Sequence, residues 1–80
     1  MKGVSTWLAL AKKAEWQNLQ EVRQTFSTVD GVPVGTTVYT VFNIAGNHFR
    51  LIVKIEYHYQ KIFIKHLLTR VEYDKGDWKK

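Results

Sequence analysis

Apolar residues recur at Val4, Trp7, Leu8, Ala11 and Ala14, with Lys12 and Lys13 off that line. Steps of three and four residues place such positions on one stripe of a helix. Ser5 or Thr6 is placed to cap its start. A second, shorter helix is predicted after Asn18, a good N-cap with Glu21 three residues on. In that arrangement each side chain answers the other's backbone N–H. Leu19, Val22 and Phe26 then make its buried stripe. The pattern leaves open whether Glu15-Trp16-Gln17 breaks or bends the pair.

Residues 27–37 carry no helical stripe, and they hold the only proline and two of the five glycines. They are predicted to form a loop. Beyond them the period changes to two. Residues 38–44 are rich in β-branched and aromatic side chains, and Gly46-Asn47 makes a tight turn into residues 48–57. There Phe49, Leu51, Val53, Ile55 and Tyr57 point one way, and His48, Arg50, Ile52, Lys54 and Glu56 the other. After a turn near His58–Gln60, residues 61–68 form a third strand, with Ile62, Ile64, His66 and Leu68 on one face and Lys61, Phe63, Lys65 and Leu67 on the opposite one. Residues 69–78 are too polar for a core strand and read as a short helical turn or an extended tail. The expected fold is α+β, a single domain over residues 1–80. Two N-terminal helices pack on a small antiparallel three-stranded sheet, and a short C-terminal turn or tail follows. The helix-facing side takes Phe49, Leu51, Val53 and Ile55. The other side shows Arg50, Lys54 and Lys65 beside a wall of Tyr39, Ile52 and Phe63.

Composition narrows the class. A chain of 80 residues allows one domain, and a domain of that size buries only about 60–65% of its unfolded surface. Hydrophobic residues make up 45% of it, too much for a disordered tail. The absence of cysteine removes disulfide scaffolds, thiolate zinc sites and thiol catalysis together, and it fits a reducing compartment. No apolar run approaches the ~20 residues of a membrane span. Lys2 followed by Trp7-Leu8-Ala9-Leu10-Ala11 imitates a signal peptide, but the stretch is short and Lys12-Lys13 follow at once. It reads as a helix, and the protein is expected in the cytoplasm.

The formal charge is +5, and it is unevenly placed. Residues 1–35 carry four basic and three acidic side chains, whereas residues 36–80 carry eight and four. Such a surface suits nucleic acid or an acidic protein better than a neutral small substrate. A sheet face carrying Arg and Lys among aromatic rings suits RNA, because cations meet phosphates and rings accept unstacked bases. The competing reading is a face covered by a partner chain or another segment.

Enzyme constellations are sparse. There is no nucleophile elbow and no phosphate-binding glycine loop. His48 and His58, ten residues apart, stand too far from one another to share a metal, and His66 reads as a satisfied core histidine. One chemistry needs only what is present. Cleavage of RNA by its own 2′-hydroxyl requires a proton acceptor, a cation beside the phosphate and a proton donor for the leaving 5′-oxygen. Arg, Lys and Tyr can share these tasks without metal or cofactor.

Lys12-Lys13-Ala14-Glu15-Trp16-Gln17-Asn18, Val41-Phe42-Asn43-Ile44, Gly46-Asn47-His48-Phe49-Arg50-Leu51-Ile52-Val53 and Glu72-Tyr73-Asp74-Lys75 occur here in order. Together they resemble the HigB-type toxins of bacterial type II toxin–antitoxin modules, within the RelE-like mRNA interferase superfamily. The likeness runs from about Trp7 to Trp78. It implies a RelE-like fold and a ribosome-dependent endoribonuclease that cuts translated mRNA without a cofactor. It also implies a helix-turn-helix antitoxin of the HigA kind as partner, beside the ribosome and mRNA. By position, Arg50 matches the family's phosphate-facing arginine and Lys65 its basic residue on the third strand. Tyr73 matches the tail tyrosine, and Lys75 follows as a backbone contact. The expected catalytic set is therefore Arg50, Lys65, Arg70 and Tyr73, with Lys54, Lys75, Asn43 and Phe63 binding RNA around it.

Two departures stand out. The family's tail commonly reads Thr-His-Ala-Glu-Tyr-Asp-Lys, whereas Arg70 occupies the histidine position here. Arginine stays protonated, so it stabilises charge but shuttles protons poorly. Family members also usually begin with a further strand and helix, so this chain is expected to expose a sheet edge and apolar surface. That invites pairing with another chain, including a homodimer. The alternative readings are a shortened toxin relative that binds antitoxin, ribosome or RNA without cleaving, and an unrelated small RNA-binding module.

Overall fold

In the computed structural model of the chain, which describes residues 2–46 and 48–79, two helices precede a sheet and a short helix follows it. Helix α1 spans Lys2–Lys13 and α2 spans Leu19–Thr25. Strands β1 (Asp30–Val34), β2 (Thr37–Ile44), β3 (Phe49–Glu56) and β4 (Lys61–Thr69) follow. Helix α3 covers Arg70–Lys75, and a single 3-10 turn, Asp77–Lys79, comes after it. The strands form an antiparallel meander in the order β1-β2-β3-β4. No helix among the described residues is long and apolar enough to cross a membrane.

The helical pair is broken, not bent. The Glu21 N–H donates to Asn18 Oδ1 at 3.0 Å, as the cap predicts, but the Glu21 carboxylate accepts from Gln17 N (3.0 Å), one residue earlier than expected. Gln60 then ties this joint to the far hairpin, its side-chain amide donating to Trp16 O at 2.8 Å. Both helices lie on one sheet face, and Phe42 on β2 is the hub of the core between them. Its ring centroid stands 5.2 Å from Trp7, 5.1 Å from Phe26 and 6.3 Å from Trp16. Leu51 and Val53 are fully buried there, and Phe49 and Ile55 pack against them, as the alternation along residues 49–57 predicts.

Three expectations need correction. The sheet has four strands, because the predicted loop contains β1. Its register runs from Asp30 opposite Val41 to Val34 opposite Thr37, leaving a two-residue turn in which Gly35 takes φ +62°. Proline and glycine read as punctuation, yet an edge strand tolerates Pro33 where a central one would not.

The second correction concerns the faces of β4. Val53 stands opposite Ile64, but Ile52 stands opposite His66, so Lys65 is the extra residue of a β-bulge. Strict alternation fails from that point. Leu67 joins the helix side, and His66 and Leu68 pass to the other. His66 is consequently not a core histidine; it is exposed. The third correction is that the second sheet face is not open along its length, because the C-terminal segment lies on it.

Candidate nucleic-acid interface

Thr69 and Glu72 build the start of α3. Glu72 N–H donates to Thr69 Oγ1 at 3.2 Å, and Thr69 N–H donates to the Glu72 carboxylate at 2.9 Å. This reciprocal cap turns the chain out of β4 and sets Tyr73 over the sheet. Gly76, with φ +76°, ends the helix in the left-handed conformation and returns the chain toward the strands.

Trp78 is what the return delivers. Its ring stacks on Tyr73 at 5.5 Å and 17°, meets the edge of Tyr39 at 6.0 Å, and lies 6.5 Å from His66. It thus bridges β2 and β4 across β3, where Ile52 is fully buried. Beside this cover, a shallow cavity of about 410 Å³ stays open, with Asp30, Asn43, Arg50 and Tyr73 along its walls and Ser27 and Thr28 at one end. The Arg50 guanidinium carbon lies 5.8 Å from the centre of the Tyr73 ring, a cation–π distance, and one of its N–H groups donates to Phe49 O.

Charge at the cavity is mixed. Burial pushes the Tyr73 phenol above its ordinary pKa of 10.0, and the Asp30 carboxylate pushes it the same way, against the lowering pull of Arg50. Tyr73 therefore holds its proton throughout the neutral range. A phenol O–H, a carboxylate and a guanidinium face one another across a space open to solvent. That set can bind a phosphodiester and move a proton on each side of it.

The structure brings together Arg50, Tyr73 and Asn43 of the residues singled out from sequence. Arg70 opens α3 one turn before Tyr73, a spacing that makes the two neighbours on the helix surface, and it is exposed. Lys75 is exposed at the other end of the same helix. Lys65 and Phe63 stand with each other instead, the ammonium 5.9 Å from the ring, and neither lines the cavity. Lys54 forms an ion pair with Glu56 at 3.2 Å, four residues along β3 from Arg50, or about 13 Å at strand rise. Among the described residues no group of three or more His, Asp or Glu is placed to hold a metal ion.

Asp30, in the cavity wall, and Trp78, stacked on Tyr73, are the positions at the candidate site that sequence reasoning missed. Asp30 fell in a segment read as loop, and nothing in its neighbours marked it. Trp78 had a signal in the Thr69–Glu72 spacing, which announces a helix start and thereby a chain that folds back.

Residues 2–76 match the family described as HigB_toxin, RelE-like toxic component of a toxin-antitoxin system. The chain is also 30% identical over 64 residues to a protein named mRNA interferase HigB from Escherichia coli O6:H1. That alignment takes in 80% of this chain and 61% of the relative, so the chain spans about three fifths of that protein's length. On the match across nearly all of its length, this chain belongs to the HigB toxin family, the RelE-like toxic component of toxin–antitoxin systems.

Proposed function

We propose that the chain is an mRNA endoribonuclease toxin that cuts translated mRNA at the ribosome and is neutralised by a helix-turn-helix antitoxin. The observation that carries this reading is the Arg50–Tyr73 pair beside Asp30 in an open cavity, on a chain of this family. The Asp30 carboxylate accepts the proton of a ribose 2′-hydroxyl, and that oxygen attacks the adjoining phosphorus. Arg50 stabilises the charge gathered on the phosphorane. The bond to the 5′-oxygen breaks, and the Tyr73 phenol gives that oxygen its proton. The products are a 2′,3′-cyclic phosphate and a free 5′-hydroxyl. Lys65, Phe63 and Lys54 bind the strand farther along the sheet, with Arg70 and Lys75 along α3. Asn43, directly opposite Arg50 in the β2–β3 register, is placed to orient the phosphate.

Induced expression in a bacterium, with primer extension on a translated reporter mRNA, tests the proposal. Discrete cuts and growth arrest are expected from the natural chain, and both should vanish in Arg50→Ala and Tyr73→Ala. Full toxicity in both variants would remove these residues from the site. Intact message in the presence of folded natural chain would instead favour a toxin relative that binds without cleaving.

A further inference from the structure

Tyr73 stands on a six-residue helix with no buried residue. The reciprocal Thr69–Glu72 cap fixes where that helix starts, not how the tyrosine turns about its own side-chain bonds. Its ring meets the Arg50 guanidinium at 5.8 Å and the Trp78 indole at 5.5 Å. The guanidinium ends a long, flexible side chain, and in the proposed reaction it faces the phosphate. It is poorly suited to hold the ring still as well.

Trp78 is better placed. Its indole lies nearly parallel to the Tyr73 ring, with 17° between the planes. Tyr39 meets it edge-on at 6.0 Å, and His66 lies 6.5 Å away. Those two residues belong to β2 and β4, the strands on either side of the one that carries Arg50. The indole thus links a lightly held helix to the hydrogen-bonded sheet, and packing of this kind locks a functional side chain in place. Its N–H is buried without a hydrogen-bond partner among the described residues. A buried N–H left unpaired opposes the position it takes. What keeps Trp78 there is therefore the flat face of its rings.

We propose that Trp78 is a positioning residue of this site: seated against Tyr39 and His66, it holds the Tyr73 ring in the orientation that keeps the phenol at the cavity beside Arg50. The proposal rests on the cleavage reading above, in which Tyr73 donates the proton.

Two variants test it. Trp78→Leu keeps apolar bulk without a flat face, and Trp78→Phe restores the face without the N–H. Cleavage of mRNA on programmed ribosomes should lose about tenfold or more in kcat in Trp78→Leu, with KM within about twofold. Trp78→Phe should stay within about threefold of the natural chain. In a Tyr73→Phe background Trp78→Leu should cost nothing further, because it acts only through the phenol. By NMR, nuclear Overhauser contacts between the Tyr73 ring and the Arg50 side chain should vanish in Trp78→Leu and persist in Trp78→Phe. The β2 and β3 amides should stay protected in both. A raised KM with kcat kept would make Trp78 an RNA contact and overturn the proposal, as would losses that multiply in the double variant. So would Tyr73–Arg50 contacts that survive Trp78→Leu, whether or not RNA is cut. If those contacts vanish as expected and the natural chain cuts no RNA, the brace stands and the cleavage reading falls.

Discussion

The two faces of the sheet are built from the same strands and held by different means. On the helix side, Phe42 meets three other aromatic rings, and Trp7, Trp16, Leu51 and Val53 are buried around it. That face is a close-packed interior in which shape and area carry the stability. On the other side the cover is a six-residue helix with no buried residue and a 3-10 turn, held by a reciprocal cap and by rings in contact. Ile52 and Val41 are buried on this face as well, but the segment that covers them has no buried residue of its own, so that segment belongs to the low-stability end of the molecule, where local opening is cheap. One face holds the fold together; on the other, a lightly fastened segment covers the sheet.

The sharpest way to break this comparison is a truncation on each face. Phe42→Ala removes the hub of the aromatic core and is expected to cost about 3–5 kcal/mol. A domain of this length has about 4–12 kcal/mol in total, so the variant should melt far below the natural chain or fail to fold. Tyr73→Ala, by contrast, should leave the denaturation midpoint within a few degrees. Circular dichroism on both variants decides it, and a comparable loss in Tyr73→Ala would mean that the two faces share one cooperative core.

Within the second face a smaller contrast separates the cavity from the rest. Arg50→Ala should lower cleavage by about a hundredfold or more, the scale of a lost charge-stabilising donor. Lys65→Ala should weaken RNA binding almost uniformly across sequences and reduce the salt dependence of affinity by about one ion. Binding titrations at several salt concentrations, run beside cleavage assays, distinguish the two roles. If Lys65→Ala abolishes cleavage as Arg50→Ala does, the bulge places Lys65 at the scissile phosphate after all.

The helix-side face was legible because it rests on periodicity alone. Val22, Leu51 and Val53 stand where steps of 3.6 or two put them, and burial rewards those steps. The other face was harder to read for three physical reasons. Pro33 and Gly35 look like loop residues, although a proline on an edge strand and a glycine in a two-residue turn are both compatible with a hairpin. The bulge at Lys65 shifts every later residue of β4 to the opposite side, and a one-residue insertion leaves no trace in a pattern of apolar and polar letters. Finally, the Tyr73–Trp78 stack joins positions that share no period, so only the cap spacing hints at it. Arg50, Asn43 and Tyr73 could be singled out by residue type and likeness. Their meeting with Asp30 depends on β1, which the sequence pattern hides.

The smallest expected effect tests how the covering segment is fastened. The Glu72 carboxylate sits below its ordinary pKa of 4.5, chiefly because it accepts from the Thr69 backbone N–H, with the Thr69 hydroxyl and Lys75 acting in the same direction. A depressed carboxylate pKa stabilises the folded form above the unfolded value, and the contribution is lost as pH falls through the folded one. Acidification from pH 5 toward pH 3 should therefore loosen α3 while the helix-side core stays intact. The Trp78 indole resonance, which reports the Tyr73 stack, should shift over that range before the Trp7 resonance moves. Glu72→Gln keeps an acceptor without the charge and should remove that early shift. An equal shift of Trp7 and Trp78 would show that the cap is not what fastens the segment, and that the second face melts only with the first.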